Sequence, residues 1–227
     1  MAGHTNQINT HPPTYRQTEP SVGTLQASPI PSLPRVLPQA LLQRGFEDLG
    51  DAKQALQSQA DQLRQSASLL EDFKLEDLAI LGSAMRMTQA HAGQILIEEG
   101  EAGDWMLLIL KGTVDVTKRI MQHDAAGQPT NALLEVSRLA VVRAGAALGE
   151  MSMLDSELRN ATCTAIDPVE AAILTRTAIG QLIADHPAVG AKLLVKTTQI
   201  LAQRLRNTSA QLVRVVVESK QRHLFKS

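Results

Sequence analysis

Residues 148–165 read LGEMSMLDSELRNATCTA. Two residues in this stretch could do chemistry. Glu150 follows Gly149 directly, and Arg159 stands nine positions later, just before Asn160, Ala161 and Thr162. Glycine permits a tight turn that few side chains tolerate. The residues after it, Glu150, Met151 and Ser152 onward, suit a single helical turn whose free N–H groups would face an anion. An arginine adds a planar charged fork for the same anion. An ionised glutamate is an acceptor only, which suits hydroxyl groups. An anion with hydroxyls attached describes a sugar phosphate. The competing reading is an ion pair between Glu150 and Arg159 that serves structure alone.

The elements around this stretch must position it. From Met87 to Thr117 the chain reads as short strands broken by glycines. Ile95 and Ile97 alternate with polar and apolar neighbours, Gly100 and Gly103 precede WMLLIL, and Gly112 precedes TVDV. Val114 and Val116 alternate with Thr113, Asp115 and Thr117, the pattern of a half-buried strand. Residues 121–132 read as a polar loop joining a long hairpin. LLEVSRLAVV and TCTAIDPVEAAILT supply further strands, the second containing Cys163 as a small core residue. Many short strands between glycine turns predict a sandwich or small barrel of jelly-roll type. Trp105, at the start of a buried strand, is read as packing.

Helical patterns flank the strands. Leu42, Leu49, Leu56, Leu63 and Leu70 fall seven apart, as on one face of a helix. Gly45 and Gly50 weaken its start, so firm helix is expected from Asp51. The seam fits either a helix lying on its own domain or one pairing with a second subunit. A short helix is expected over Leu75–Met85. From Thr177 the helical period returns, with Leu194, Thr198, Leu201, Leu205, Thr208, Leu212 and Val215 at spacings of three and four. Thr208 is a polar insertion in that seam. Before all of this, seven of the ten prolines lie within residues 1–38. Such a segment buries too little apolar surface to offset its ordering entropy, and a mobile arm is expected.

Composition excludes several classes of function. The 227 residues suffice for one sizeable domain with extensions, or for two small ones. Lys and Arg number 22 against 23 Asp and Glu, so the basic excess of a nucleic-acid-binding domain is missing. Aromatics are 2%, too few to stack single-stranded bases. No apolar run approaches the roughly 20 residues that span a bilayer. A single cysteine and no signal-like start point to a reducing cytoplasm. Six scattered histidines form no metal-ligand cluster, and no nucleophile–histidine arrangement is visible, so neither a metal nor catalysis is expected.

LGEMSML with RNATCTA resembles the phosphate-binding cassette of the cyclic nucleotide-binding domain family. GQILIEEGEAGDWMLLILKGTVDV is similar to the first strands of the same domain, and the resemblance runs from about Leu69 to Leu212. It implies a mainly β fold with flanking helices: a jelly-roll β-barrel, N-terminal helices and a long C-terminal helix. The expected divisions are an arm over 1–38, a helical segment over 39–72, the barrel domain over 73–187 and a dimerisation or lid helix over 188–222. By resemblance Glu150 accepts from the ribose 2′-hydroxyl and Arg159 pairs with the cyclic phosphate. Backbone N–H groups near Ser152 and Asn160 help, within a set completed by Gly149, Met151 and Ala161. The family usually has Ala, Ser or Thr where this chain has Asn160. RLRNTSAQLV, residues 204–213, resembles the dimer helix of the bacterial cAMP receptor proteins. There a Thr-Ser pair reaches the adenine, one residue from each subunit; Thr208 and Ser209 match it. A back-bond to the preceding helical turn is the plainer role for Thr208.

The implied function is a cytoplasmic regulatory module that binds cAMP, with cGMP second, and signals through its helices to a protein effector as a homodimer. The alternative is a degenerate fold that serves as a ligand-free interaction scaffold. No cofactor and no membrane partner are expected. The 21 residues after Arg206 leave no room for a helix-turn-helix, so no direct DNA binding is expected.

Overall fold

The computed structural model describes residues 36–66, 69–123 and 129–224. The expected arm lies outside them except for its end, where Leu37 is buried rather than free. Two four-stranded antiparallel sheets form the body. One has the order β1(Arg86–Ala90), β8(Val169–Thr175), β3(Trp105–Lys111), β6(Ala147–Leu148). The other has the order β2(Ile95–Ile97), β7(Thr162–Ala165), β4(Thr113–His123), β5(Pro129–Arg143). The fold is mainly β with flanking helices, as expected, but the sheets keep open edges and do not close into a barrel.

The strand β3 explains the layering. WMLLIL is apolar throughout because both of its faces are buried. Trp105, Leu107 and Ile109 enter the core between the sheets, with Val114, Val116, Cys163, Ala165, Ala171 and Ile173. Met106, Leu108 and Leu110 point the other way, into a second core against the helices. Period-two alternation thus assigns neighbouring residues of one strand to two different cores.

The N-terminal heptad seam is not one helix. It divides into α1(Gln39–Gln43), α2(Lys53–Ser58) and α3(Ala60–Ser66). Gly45 and Gly50 both adopt positive φ and turn the chain, so Leu42 and Leu49 end exposed. Leu56, Leu63 and Leu70 are fully buried against the domain itself, together with Phe73. The expected polar loop at 121–132 also begins too early and ends too late. Strand pairing continues outward to His123 and Pro129, because backbone pairing in a projecting ribbon does not require an apolar face.

The helix α4(Leu75–Ala84) packs on α2, and α6(Arg176–Asp185) leads into α7(Pro187–Leu224). The start of α7 is docked by Val189, Leu193 and Thr197, all buried. Lys192 donates to Asp77 at 2.6 Å, and Lys196 pairs with Glu71 and Asp72. Among the described residues, no helix is long and apolar enough to cross a membrane.

Helix α4 meets α2 at Gly82, where a β-carbon would stand 2.6 Å from the Lys53 α-carbon and 2.8 Å from its nitrogen. Alanine is worth about 1 kcal/mol more than glycine inside a helix. Overpacking against backbone costs about 1–3 kcal/mol and should win. Gly82→Ala is therefore expected to lower the urea midpoint, and an unchanged midpoint would show that the α2 backbone yields.

Candidate functional site

Gly149 is the pivot of the site. It sits in the left-handed region at φ 78, as the cap that turns β6 into α5(Glu150–Asp155). A β-carbon there would meet Arg159 Nη1 at 2.7 Å and the Trp105 carbonyl at 3.2 Å. The turn places Glu150 at the first position of α5, where it is only 1% exposed. Ser152 is buried as well, whereas Met151 faces solvent.

Arg159 is also buried, at 4% exposure. Its backbone is held on both sides by the loop between β2 and β3: its N–H donates to the Glu101 carbonyl and its carbonyl accepts from Gly100, both at 2.8 Å. The same loop is tied down by Arg44, which pairs with Glu98 and Glu101. The Arg159 fork donates from Nη1 to the Gly149 carbonyl at 2.8 Å and from Nη2 to the Trp105 carbonyl at 2.7 Å. Its guanidinium carbon lies 4.5 Å from the centre of the Trp105 ring, a cation–π contact. Burial pulls its pKa below the ordinary value, opposed by nearby charges that include Asp104, Glu150 and Glu101. Arginine nevertheless stays charged at neutral pH. Among the described residues it has no carboxylate within ion-pair distance.

Glu150 and Arg159 do not pair with each other. One oxygen of Glu150, Oε1, accepts from Arg204 of α7, whose other arm donates to the Ala147 carbonyl at 2.6 Å. The second oxygen, Oε2, is buried with no partner among the described residues. A buried charged acceptor left in that state costs on the order of 1–3 kcal/mol or more, which a ligand hydroxyl would recover. A cleft of about 360 Å³ opens beside Arg204, between Val142–Ala147 and Ile200–Arg204.

Asn160 and Ala161 follow Arg159 toward β7. Asn160 is exposed, and its carbonyl and Oδ1 both accept from Lys118 of β4, at 2.7 and 2.5 Å. Thr208 and Ser209 lie exposed on α7, one turn beyond Arg204. Gly149, Glu150, Ser152 and Arg159 are thus brought together; Met151, Asn160, Thr208 and Ser209 face outward in the single chain. Sequence reasoning missed Arg204, Lys118 and the Trp105 ring. The signal for Arg204 was its place four residues before Thr208, on the same helix face. Burial pushes the Cys163 thiol up to about 12, as befits a core position. No cluster of metal ligands occurs among the described residues.

This arrangement has relatives. The family model described as cyclic nucleotide-binding domain matches residues 87–186. A solved cyclic nucleotide-binding domain from Methylobacillus flagellatus KT is 32% identical, with a TM-score of 0.63; the match covers 77% of this chain and 91% of that one. The chain belongs to the cyclic nucleotide-binding domain family. Among other members, a CRP-like cAMP-activated global transcriptional regulator of Mycobacterium tuberculosis is 25% identical over 156 residues. That match takes in 69% of this chain and 63% of the regulator, so the chain spans less than the regulator's full length. The cGMP-dependent protein kinase, isozyme 1, of Drosophila melanogaster is 31% identical over 121 residues, 53% of this chain and 15% of the kinase.

The Arg204–Glu150 contact is open to a direct test. Arg204→Ala leaves both Glu150 oxygens unpaired and should cost about 1–3 kcal/mol of stability. Adding Glu150→Gln removes the uncompensated charge and should restore part of that loss. Additive effects in the double-mutant cycle would mean the two residues do not interact.

Proposed function

We propose that the chain is a regulatory module that binds a cyclic nucleotide, cAMP first and cGMP second, and carries no catalytic step. The carrying observation is the orphaned Glu150 Oε2, buried close to an arginine that has no carboxylate of its own. The ribose 2′-hydroxyl would donate to Oε2. The cyclic phosphate would take the remaining Arg159 donors and the first amides of α5, with backbone N–H groups near Ser152, Asn160 and Ala161 completing the cradle. The named ligands of the mycobacterial regulator and the fly kinase, cAMP and cGMP, support this choice.

The output follows from α7. Beyond Arg204 it exposes Leu205, Leu212, Val213 and Val217 to solvent. A second copy would cover them, making a homodimer in which Thr208 and Ser209 stand near the base. Ligand at Glu150 would favour one setting of Arg204 and α7, and so bias contact with a protein effector. Sedimentation as a monomer at micromolar concentration would remove the dimer from this account.

A ligand-free scaffold is the competing reading, and one observation favours it: Arg159 already donates to two carbonyls. Thermal shift and calorimetry with cAMP, cGMP and cyclic dinucleotides separate the two. Ligand at 100 times its dissociation constant should add about 2.7 kcal/mol of stability. Arg159→Ala should weaken binding at least tenfold, as expected for losing a charged contact of about 1.5–3 kcal/mol. No shift with any nucleotide would leave the scaffold reading standing.

A further inference from the structure

The helix α5 has six residues, too few to hold itself in water, yet both of its ends are fixed. At its start Glu150 receives Arg204. At its end stands Arg176, the first residue of α6. Its Nε donates to the Met153 carbonyl at 2.6 Å, its Nη2 to the Ser152 carbonyl at 2.9 Å and its Nη1 to Ser156 Oγ at 2.7 Å. Two helix-terminal carbonyls, the negative end of the helix, are thereby met by one cation. Ser156 caps α5 at φ 67 and is the one non-glycine residue with positive φ among the described residues. That conformation costs a residue with a β-carbon about 1–2 kcal/mol. The base of Arg176 is itself anchored. Its N–H donates to the Asp104 carbonyl at 2.7 Å, and the preceding Thr175 caps α6 by accepting from the Ala178 N–H at 3.1 Å.

We propose that Arg176 is a positioning residue for the nucleotide site. It fastens the strained end of α5 to α6, so that the amides and carboxylate at the other end keep their aim at the ligand. Consecutive helices, α6 and α7, thus hold the two ends of α5, and α5 cannot shift without moving both. This inference rests on the ligand reading above and adds a residue outside the cradle itself.

Two measurements on the whole chain test it. In the ligand-free protein, Arg176→Ala should speed amide exchange about tenfold at residues 153–157, in line with losing about 1.4 kcal/mol of local hydrogen bonding, while β3 and β8 keep their protection. In calorimetry at 25 °C the same variant should bind cAMP about tenfold more weakly, and Arg176→Lys should fall between it and the unaltered chain. Ser156→Gly, placed on Arg176→Ala, should recover about threefold of that affinity, because glycine adopts positive φ without strain. A role in general stability alone would lower the unfolding temperature and leave affinity unchanged, with no recovery by glycine. Exchange at 153–157 that stays within about twofold of the unaltered chain overturns the proposal, as does affinity that stays within twofold despite faster exchange. If the unaltered chain binds no nucleotide, the ligand reading fails, and exchange alone decides whether Arg176 holds α5.

Discussion

The domain is organised around two buried opposite charges that do not neutralise each other. Glu150 and Arg159 are 1% and 4% exposed. Charges this inaccessible carry a desolvation penalty of several kcal/mol each, and direct pairing is the usual way to offset it. Here the offset is divided. The carboxylate is met by Arg204 from α7, and the guanidinium by two carbonyls and an indole ring. Trp105 and Arg204 each lie 54 residues from the charge they meet, and Gly149 lies ten from Arg159. The charges are therefore held only when β3, the β6–α5 turn and α7 are all in place, and the division leaves one carboxylate oxygen unsatisfied.

That constraint gives the rest of the architecture its sense. The strand β3 has a core on each face, so the Trp105 carbonyl and ring are presented to Arg159 from a rigid platform. The loop carrying Glu101 is cross-braced by Arg44 and in turn fixes the Arg159 backbone. The helix α7 is docked over its first half through Val189, Leu193 and Thr197, whereas residues 205–214 are all exposed. Arg204 stands at the junction between these halves. The cation that meets Glu150 thus stands where α7 leaves the domain.

Much of this was legible in the sequence where one local rule decides the outcome. The alternation in TVDV, the glycine before Glu150 and the short helix in EMSML each depend on neighbours in the chain, and each is found. Where a pattern satisfies two structures, the reading failed. A leucine every seven residues fits a single long helix. It fits equally well three short ones, whose last members are buried and whose first members, Leu42 and Leu49, are swung out by glycine turns. The polar residues from Met121 onward read as a loop because a two-stranded ribbon has no buried face to impose alternation. Arg204 and Lys118 were overlooked for another reason. A long cation beside a helical seam or on a strand looks like solvated surface until its distant partner is known.

Asn160 shows how the same constraint absorbs a departure from the family pattern. The residue after the arginine is usually small, and an amide there would be expected to crowd the ligand. Arg159, however, is drawn inward by its carbonyl partners, and its neighbour faces the opposite side. The Asn160 side chain is exposed, and its oxygen is taken by Lys118, which also stands 3.8 Å from Glu99. The extra bulk is accommodated on the outer surface. Asparagine retains its backbone N–H as fully as alanine or serine does. The direction of the Asn160 side chain is therefore set by the fixed backbone of Arg159 and by Lys118, and not by the cleft beside Arg204, whose lining does not include it.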